Sequence, residues 1–132
     1  MNELPLPKTL IDDLQSGRRP LSNDENLRLA ALLQAVETPI PDLYSLDAIQ
    51  GANRLWTSDY VGLYLGIPSE EYSPGLIEPC SACIIGHAEP DSPIALDYRT
   101  NPPRVVYFSD DGYWLELCPS YEALISKIST DT

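Results

Sequence analysis

Two neighbouring segments decide the fold: DSPIALDYR at residues 91–99 and NPPRVVYF at residues 101–108. In the first segment Ile94, Leu96 and Tyr98 alternate with more polar residues, which is typical of a half-buried strand. The β-branched and aromatic residues of the second segment favour a strand that is packed on both sides. Pro102 and Pro103, at the start of the second segment, indicate a turn, so we expect two strands joined by a proline turn.

A third strand and a helix are predicted further along the chain. Residues 110–112 read Asp-Asp-Gly, and a tight hairpin turn prefers this chemistry because glycine tolerates positive φ. The strand predicted after this turn covers residues 113–117. A helix should then begin near Pro119 and Ser120, because proline suits a first helical turn and serine can cap it. Its apolar face, expected to dock on the sheet, repeats at helical spacing: Tyr121, Leu124, Ile125 and Ile128.

The C-terminal half also carries a pattern of five short pieces: IG at 85–86, DSPIALDYR at 91–99, PRVVY at 103–107, WLE at 114–116 and PSYE at 119–122. This pattern resembles the SUKH superfamily, which joins bacterial toxin-immunity proteins to a fungal cell-wall-synthesis regulator. The resemblance covers roughly residues 76 to 127. It implies a single α+β domain, an antiparallel sheet flanked by helices, that acts as a binding module without chemistry of its own.

The N-terminal third does not match the opening that is usual in this superfamily. We therefore divide the single domain into a helical N-terminal part, residues 1–42, and a SUKH-like α+β core, residues 43–132. The first part is either a variant of the family's opening or a separate cap.

Two helices are predicted in the N-terminal part. Thr9 can cap a short helix that runs to Leu14, and Gly17 is placed to end it. Ser22 and Glu25 have the spacing of a capping box, in which each side chain satisfies a free backbone amide of the other. The second helix has one apolar face, formed by Leu29, Leu32, Leu33 and Val36.

Between the N-terminal part and the central segments, the sequence predicts one more helix and two strands. Ser45 can cap a helix that continues to about Trp56, although Gly51 weakens this prediction. Residues 60–65 and 82–88 have the composition of strands.

The composition predicts an acidic protein with one core. The chain has 132 residues, 20 of them acidic and 8 basic, for a formal charge of -12. One domain of this length buries roughly two thirds of the surface that its unfolded chain exposes. Such a charge should repel nucleic acid and anionic lipid, and should speed encounters with basic proteins. The alternative is that the acidic residues only keep the protein soluble.

A cytoplasmic location is the simplest interpretation of the sequence. The N-terminus lacks the charged and apolar regions of a signal peptide, and no apolar run approaches the ~20 residues of a membrane span. Three cysteines do not make a disulfide framework.

The clearest candidate for chemistry is a cluster formed by Cys80, Cys83 and His87. Thiolates and an imidazole at this spacing can hold zinc, and on a regular strand Cys83 and His87 would share a face. A tight Cys-x-x-Cys turn is not favoured, however, because Ser81 and Ala82 provide no glycine. We therefore predict no metal and no cofactor, and expect the cysteines to be buried as small apolar side chains.

Catalysis is not expected. His87 is the only histidine, and the sequence has neither a Gly-x-Ser-x-Gly nucleophile motif nor a glycine-rich phosphate loop.

The polar and aromatic residues of the central segments have two interpretations. Asp91 can cap a turn, while Asp97, Arg99 and Arg104 can form ion pairs within the fold. The same charged side chains can instead contact a partner protein, and exposed aromatic residues can anchor one. The candidate binding residues are Asp91, Asp97, Tyr98, Arg99, Arg104 and Trp114.

The sequence therefore predicts a non-catalytic protein-binding module. By resemblance, its partner is expected to be a toxin, such as a basic toxin domain that the protein neutralises as an immunity protein does. One alternative is an intracellular scaffold or regulator of the same fold, and a minor one is a small zinc-binding protein.

Overall fold

The structure is a computed structural model that describes residues 6–16, 23–33, 41–58, 74–75, 77, 81–89, 92–108 and 113–128. These residues form four helices and six strands. The helices are α1 (Lys8–Gln15), α2 (Asn23–Leu33), α3 (Leu46–Ser58) and α4 (Tyr121–Ile128), and the strands are β1 (Asp42–Leu43), β2 (Pro74–Gly75), β3 (Ala82–Glu89), β4 (Ser92–Asp97), β5 (Arg104–Phe108) and β6 (Trp114–Cys118).

All described strands belong to one antiparallel sheet in the order β1-β3-β4-β5-β6-β2. The four central strands are consecutive in the chain and also lie side by side in the sheet, since a short connection can join neighbouring antiparallel strands. The two outermost strands have only two residues each. The predicted α+β class, with an antiparallel sheet flanked by helices, is confirmed.

One face of the sheet packs against α1, α2, α4 and the first half of α3. A row of side chains crosses this face at one level: Cys83, Leu96, Val105 and Cys118 lie opposite one another on the four central strands. We call this side the apolar face. Its buried core also includes Leu10, Leu29, Leu43, Ile49, Ile85, Ile94, Tyr121, Leu124 and Ile128.

The other face is covered by the second half of α3 and by Ile77. Trp56 of α3 lies with its ring centroid 6.0 Å from that of Trp114, and Phe108 packs edge-on against Trp114 at 5.4 Å. We call this side the mixed face because it also carries charged residues. Its buried apolar members are Trp56, Ile77, Ala82, Ile84, Ala95, Val106 and Trp114.

The central hairpin confirms the predicted alternation but not the predicted half-burial. Ile94 and Leu96 belong to the apolar face, while Ala95 and Asp97 belong to the mixed face. All six residues of β4 are nevertheless buried, because α3 and the tryptophans cover the side that alternation alone assigns to solvent. The strand ends at Asp97, so Tyr98 and the residues after it lie in the turn.

The N-terminal helices belong to the same core as the sheet. Leu10 and Leu29 are almost completely buried in the apolar-face cluster. The hydroxyl of Tyr121 donates to the buried carboxylate of Asp13 at 2.7 Å, and Arg28 donates to the carbonyl of Ile128 at 2.8 Å. Both bonds tie the start of the chain to α4, so the described part of residues 1–42 is integral to the fold.

The predicted helix caps are partly confirmed. The hydroxyls of Ser45 and Ser120 accept the amides of Ala48 (3.4 Å) and Ala123 (3.1 Å). The prediction for Thr9 is wrong, because α1 begins at Lys8 and the Thr9 hydroxyl donates to Glu122 of α4. Other predictions lie outside the described residues: those for Gly17, Ser22, Val36, residues 60–65 and the turn at 110–112.

None of the described helices is both long enough and apolar enough to cross a membrane.

Candidate functional site

The carboxylate of Asp97, at the end of β4, accepts four hydrogen bonds from described residues. Its side chain has no solvent exposure. One oxygen accepts the backbone amide of Arg99 at 3.1 Å and its Nε at 2.9 Å. The other accepts Nη2 of Arg99 at 3.1 Å and Nε of Arg104 at 2.8 Å. A single buried carboxylate therefore holds two guanidinium groups and the start of the turn.

This network continues across the mixed face. Asp97 and Arg104 lie directly opposite each other on β4 and β5, and Nη1 of Arg104 lies 3.4 Å from a carboxylate oxygen of Glu116 on β6. Exposure rises along the row, from 0% for the Asp97 side chain to 16% for Arg104 and 43% for Glu116. The charges thus run from the protein interior to solvent within three strands.

The arginines keep Asp97 ionised. Burial raises the pKa of the Asp97 carboxyl, but hydrogen bonds from Arg99 and Arg104 outweigh burial and hold the pKa below its ordinary value. The predicted ion pairing among Asp97, Arg99 and Arg104 within the fold is confirmed.

The candidate binding residues differ widely in how much of each side chain is exposed to solvent. Trp114 and Asp97 are 0% exposed, so neither side chain can touch a partner in this conformation. Arg104 is mostly buried, whereas 42% of the Arg99 side chain is exposed. Asp91 lies outside the described residues. Of the described candidates, Arg99 is the one with a largely accessible charged side chain.

Tyr98 lines an open pocket between the β4–β5 turn and the segment that leads into α1. The pocket has a volume of about 330 Å³. Burial raises the pKa of the Tyr98 phenol, and Cys83 adds to this effect. The pocket joins segments about ninety positions apart, so sequence patterns gave no sign of it. Its described lining is Leu6, Pro7, Tyr98, Thr100, Asn101 and Pro103.

The turn that forms this pocket is fixed by internal hydrogen bonds. The Thr100 hydroxyl donates to the carbonyl of Pro102 at 2.9 Å and accepts the amide of Arg104 at 3.0 Å. Together with the bonds to Asp97, these hold both ends of the turn. The side chain of Asn101 is exposed and makes no hydrogen bond to another described residue.

The expectation that Cys83 and His87 share a face is wrong. Cys83 lies opposite Leu96, whereas His87 lies opposite Pro93, three positions away on β4. Positions separated by three point to opposite faces of a strand. The reason is a β-bulge between Ile84 and Gly86, which shifts the alternation of β3 by one residue. The two side chains therefore cannot bind one metal ion.

No group of three or more potential metal ligands occurs among the described residues. Cys80 lies outside them. His87 instead lies against Tyr44, with Nδ1 3.2 Å from the Tyr44 hydroxyl, and its Nε2 is buried without a hydrogen-bond partner in the described chain.

The two described cysteines are buried and free. Burial raises the pKa of the Cys83 thiol to about 11, although a hydrogen bond with Asn53 acts against this. Burial also raises the pKa of Cys118. Since β3 and β6 are three strand spacings apart, about 14 Å, these cysteines cannot form a disulfide with each other. Both behave as small apolar side chains, as the sequence predicts.

Asn53 is a structural residue that the sequence analysis missed. Its buried side chain accepts the amide of Ile84 at 2.7 Å and donates to the carbonyls of Ile84 (2.8 Å) and Ile49 (2.7 Å). β1 pairs with β3 only at Gly86 and His87. The side chain of Asn53 therefore takes the place of a neighbouring strand at Ile84 and attaches α3 to the sheet.

The edge strand β1 approaches β3 closely at Gly86. A Cβ built on Gly86 would lie 2.4 Å from the carbonyl oxygen of Asp42, so only glycine fits. At this edge, the Asp42 carboxylate accepts the backbone amide of Leu43 at 2.8 Å.

Comparison with known protein families, with curated proteins and with solved structures found no match for this chain.

Proposed function

We propose that this chain is a non-catalytic protein-binding module of the immunity type, which neutralises a basic toxin partner. The proposal starts from the resemblance of residues 76–127 to the SUKH superfamily. The α+β class agrees with the fold that this resemblance implies, although many unrelated functions share such folds. The proposal therefore depends on the charged surface.

The distribution of charge is the observation that carries the proposal. The chain has a formal charge of -12, and several of its cations serve the interior: Arg99 and Arg104 bind Asp97, and Arg28 caps α4. A basic partner would associate faster with such a surface. Five acidic residues in the described chain are exposed: Asp12, Asp24, Asp47, Glu116 and Glu122.

The side chains that could take part in catalysis are either paired or buried within the fold. Asp97 is neutralised by two arginines, and the described thiols are buried with raised pKa values. These contacts give the same side chains a structural role, which leaves partner binding to the exposed charges.

The test is affinity capture of the tagged full chain from lysate of its source, at low and high salt, with identification of the proteins that bind. A co-purifying partner should then be expressed in a test cell with and without this chain. We expect a basic protein that is released as salt rises, that stops growth when expressed alone, and that is harmless when this chain is present.

A triple variant, Asp12→Asn, Asp24→Asn and Asp47→Asn, separates steering from affinity. It should slow association with the partner at low salt and have little effect at high salt, because screening removes interactions between exposed charges. A resident, non-toxic partner would refute toxin neutralisation and favour the scaffold or regulator alternative. An association rate that does not change with salt would refute the charge argument.

A further inference from the structure

We draw no further inference here: the strongest candidate, the outward side of α2, where Leu27 and Ala31 are exposed within a run that is apolar from Leu27 to Leu33 except for Arg28, is an apolar helix face, and nothing in the part of the chain that the structure describes shows what covers it.

Discussion

The apolar and mixed faces of the sheet are built on the same four strands but differ in what stabilises them. On the apolar face the row Cys83, Leu96, Val105 and Cys118 is buried beneath apolar side chains of the helices. On the mixed face, tryptophans cover the strands at one end and an ion-pair network occupies the other. Burial of apolar area depends little on pH, whereas a buried carboxylate contributes only while it is ionised. The two faces should therefore respond differently to mutation, acid and salt.

The ion-pair network on the mixed face also explains why an accessible cation lies at the β4–β5 turn. The network needs Asp97 inside the protein, and the two arginines that neutralise it reach from the turn and from β5. Arg99 is the member with room to reach solvent. A stabilising network thus presents one fixed cation at the surface.

The largest effect is expected from Trp114→Ala, which removes the centre of the apolar part of the mixed face. Trp114 is fully buried between Trp56 and Phe108. The cavity should lower the free energy of unfolding by about 4 kcal/mol, measured in urea. As a control, Leu27→Ala on α2, where the side chain is 58% exposed, should cost less than about 1 kcal/mol. A small loss for Trp114→Ala would mean that the mixed face is not a packed core.

Asp97→Asn should lower the free energy of unfolding by about 3 kcal/mol near neutral pH, because two guanidinium groups lose the charge that they pair with. The folded-state pKa of Asp97 is lowered, so its contribution is complete above the ordinary carboxyl value, about 4, and is lost as the pH falls through the folded pKa.

Urea unfolding of both proteins as a function of pH tests this contribution. The difference between wild type and Asp97→Asn should shrink in acid. Asp12→Asn, which removes an exposed charge on α1, should change stability by less than about 0.5 kcal/mol. A difference that stays constant down to pH 2 would show that Asp97 acts through its shape and not its charge.

Asn53→Ala should cost about 2 kcal/mol, since it leaves the buried amide and carbonyl of Ile84 without their partner. Gln50→Ala is a matched control, an amide side chain on the same helix but not fully buried, and should be close to neutral. Hydrogen exchange at the Ile84 amide gives a second measurement. If its protection survives in Asn53→Ala, another group must cover this edge of β3.

The last prediction concerns the reactivity of the buried thiols and involves little change in stability. In a Cys80→Ser background, an aromatic disulfide reagent at pH 8 should find no reactive thiol in the folded protein, because Cys83 and Cys118 are buried and their pKa values are raised. After unfolding in urea, both should react. Rapid reaction of the folded protein would overturn the assignment of these cysteines to the apolar face.

Much of the local structure follows from the sequence, because its signals depend on neighbours within one turn or one strand. The alternation from Ile94 to Asp97 predicts which residues share a face, and the spacing of Tyr121, Leu124 and Ile128 predicts the buried side of α4. The caps at Ser45 and Ser120 were predictable because a cap involves only the next three residues. The ion pairing of Asp97 with its two arginines was also predictable, because all three lie in one hairpin.

Only the tertiary structure decided which faces are covered and what lies together there. No local sequence pattern predicts that α3 buries the second side of β4, or that the Asn53 side chain hydrogen-bonds to the backbone of Ile84. The bulge in β3 separates Cys83 from His87 because register depends on the partner strand. The pocket brings Pro7 to Tyr98 across ninety positions. By itself the sequence determined the four helices, the four central strands, the apolar sides of β4 and α4 and the excess of acid, but not the edge strands β1 and β2. Burial and long-range hydrogen bonds required the packed chain, since both depend on residues far apart in sequence.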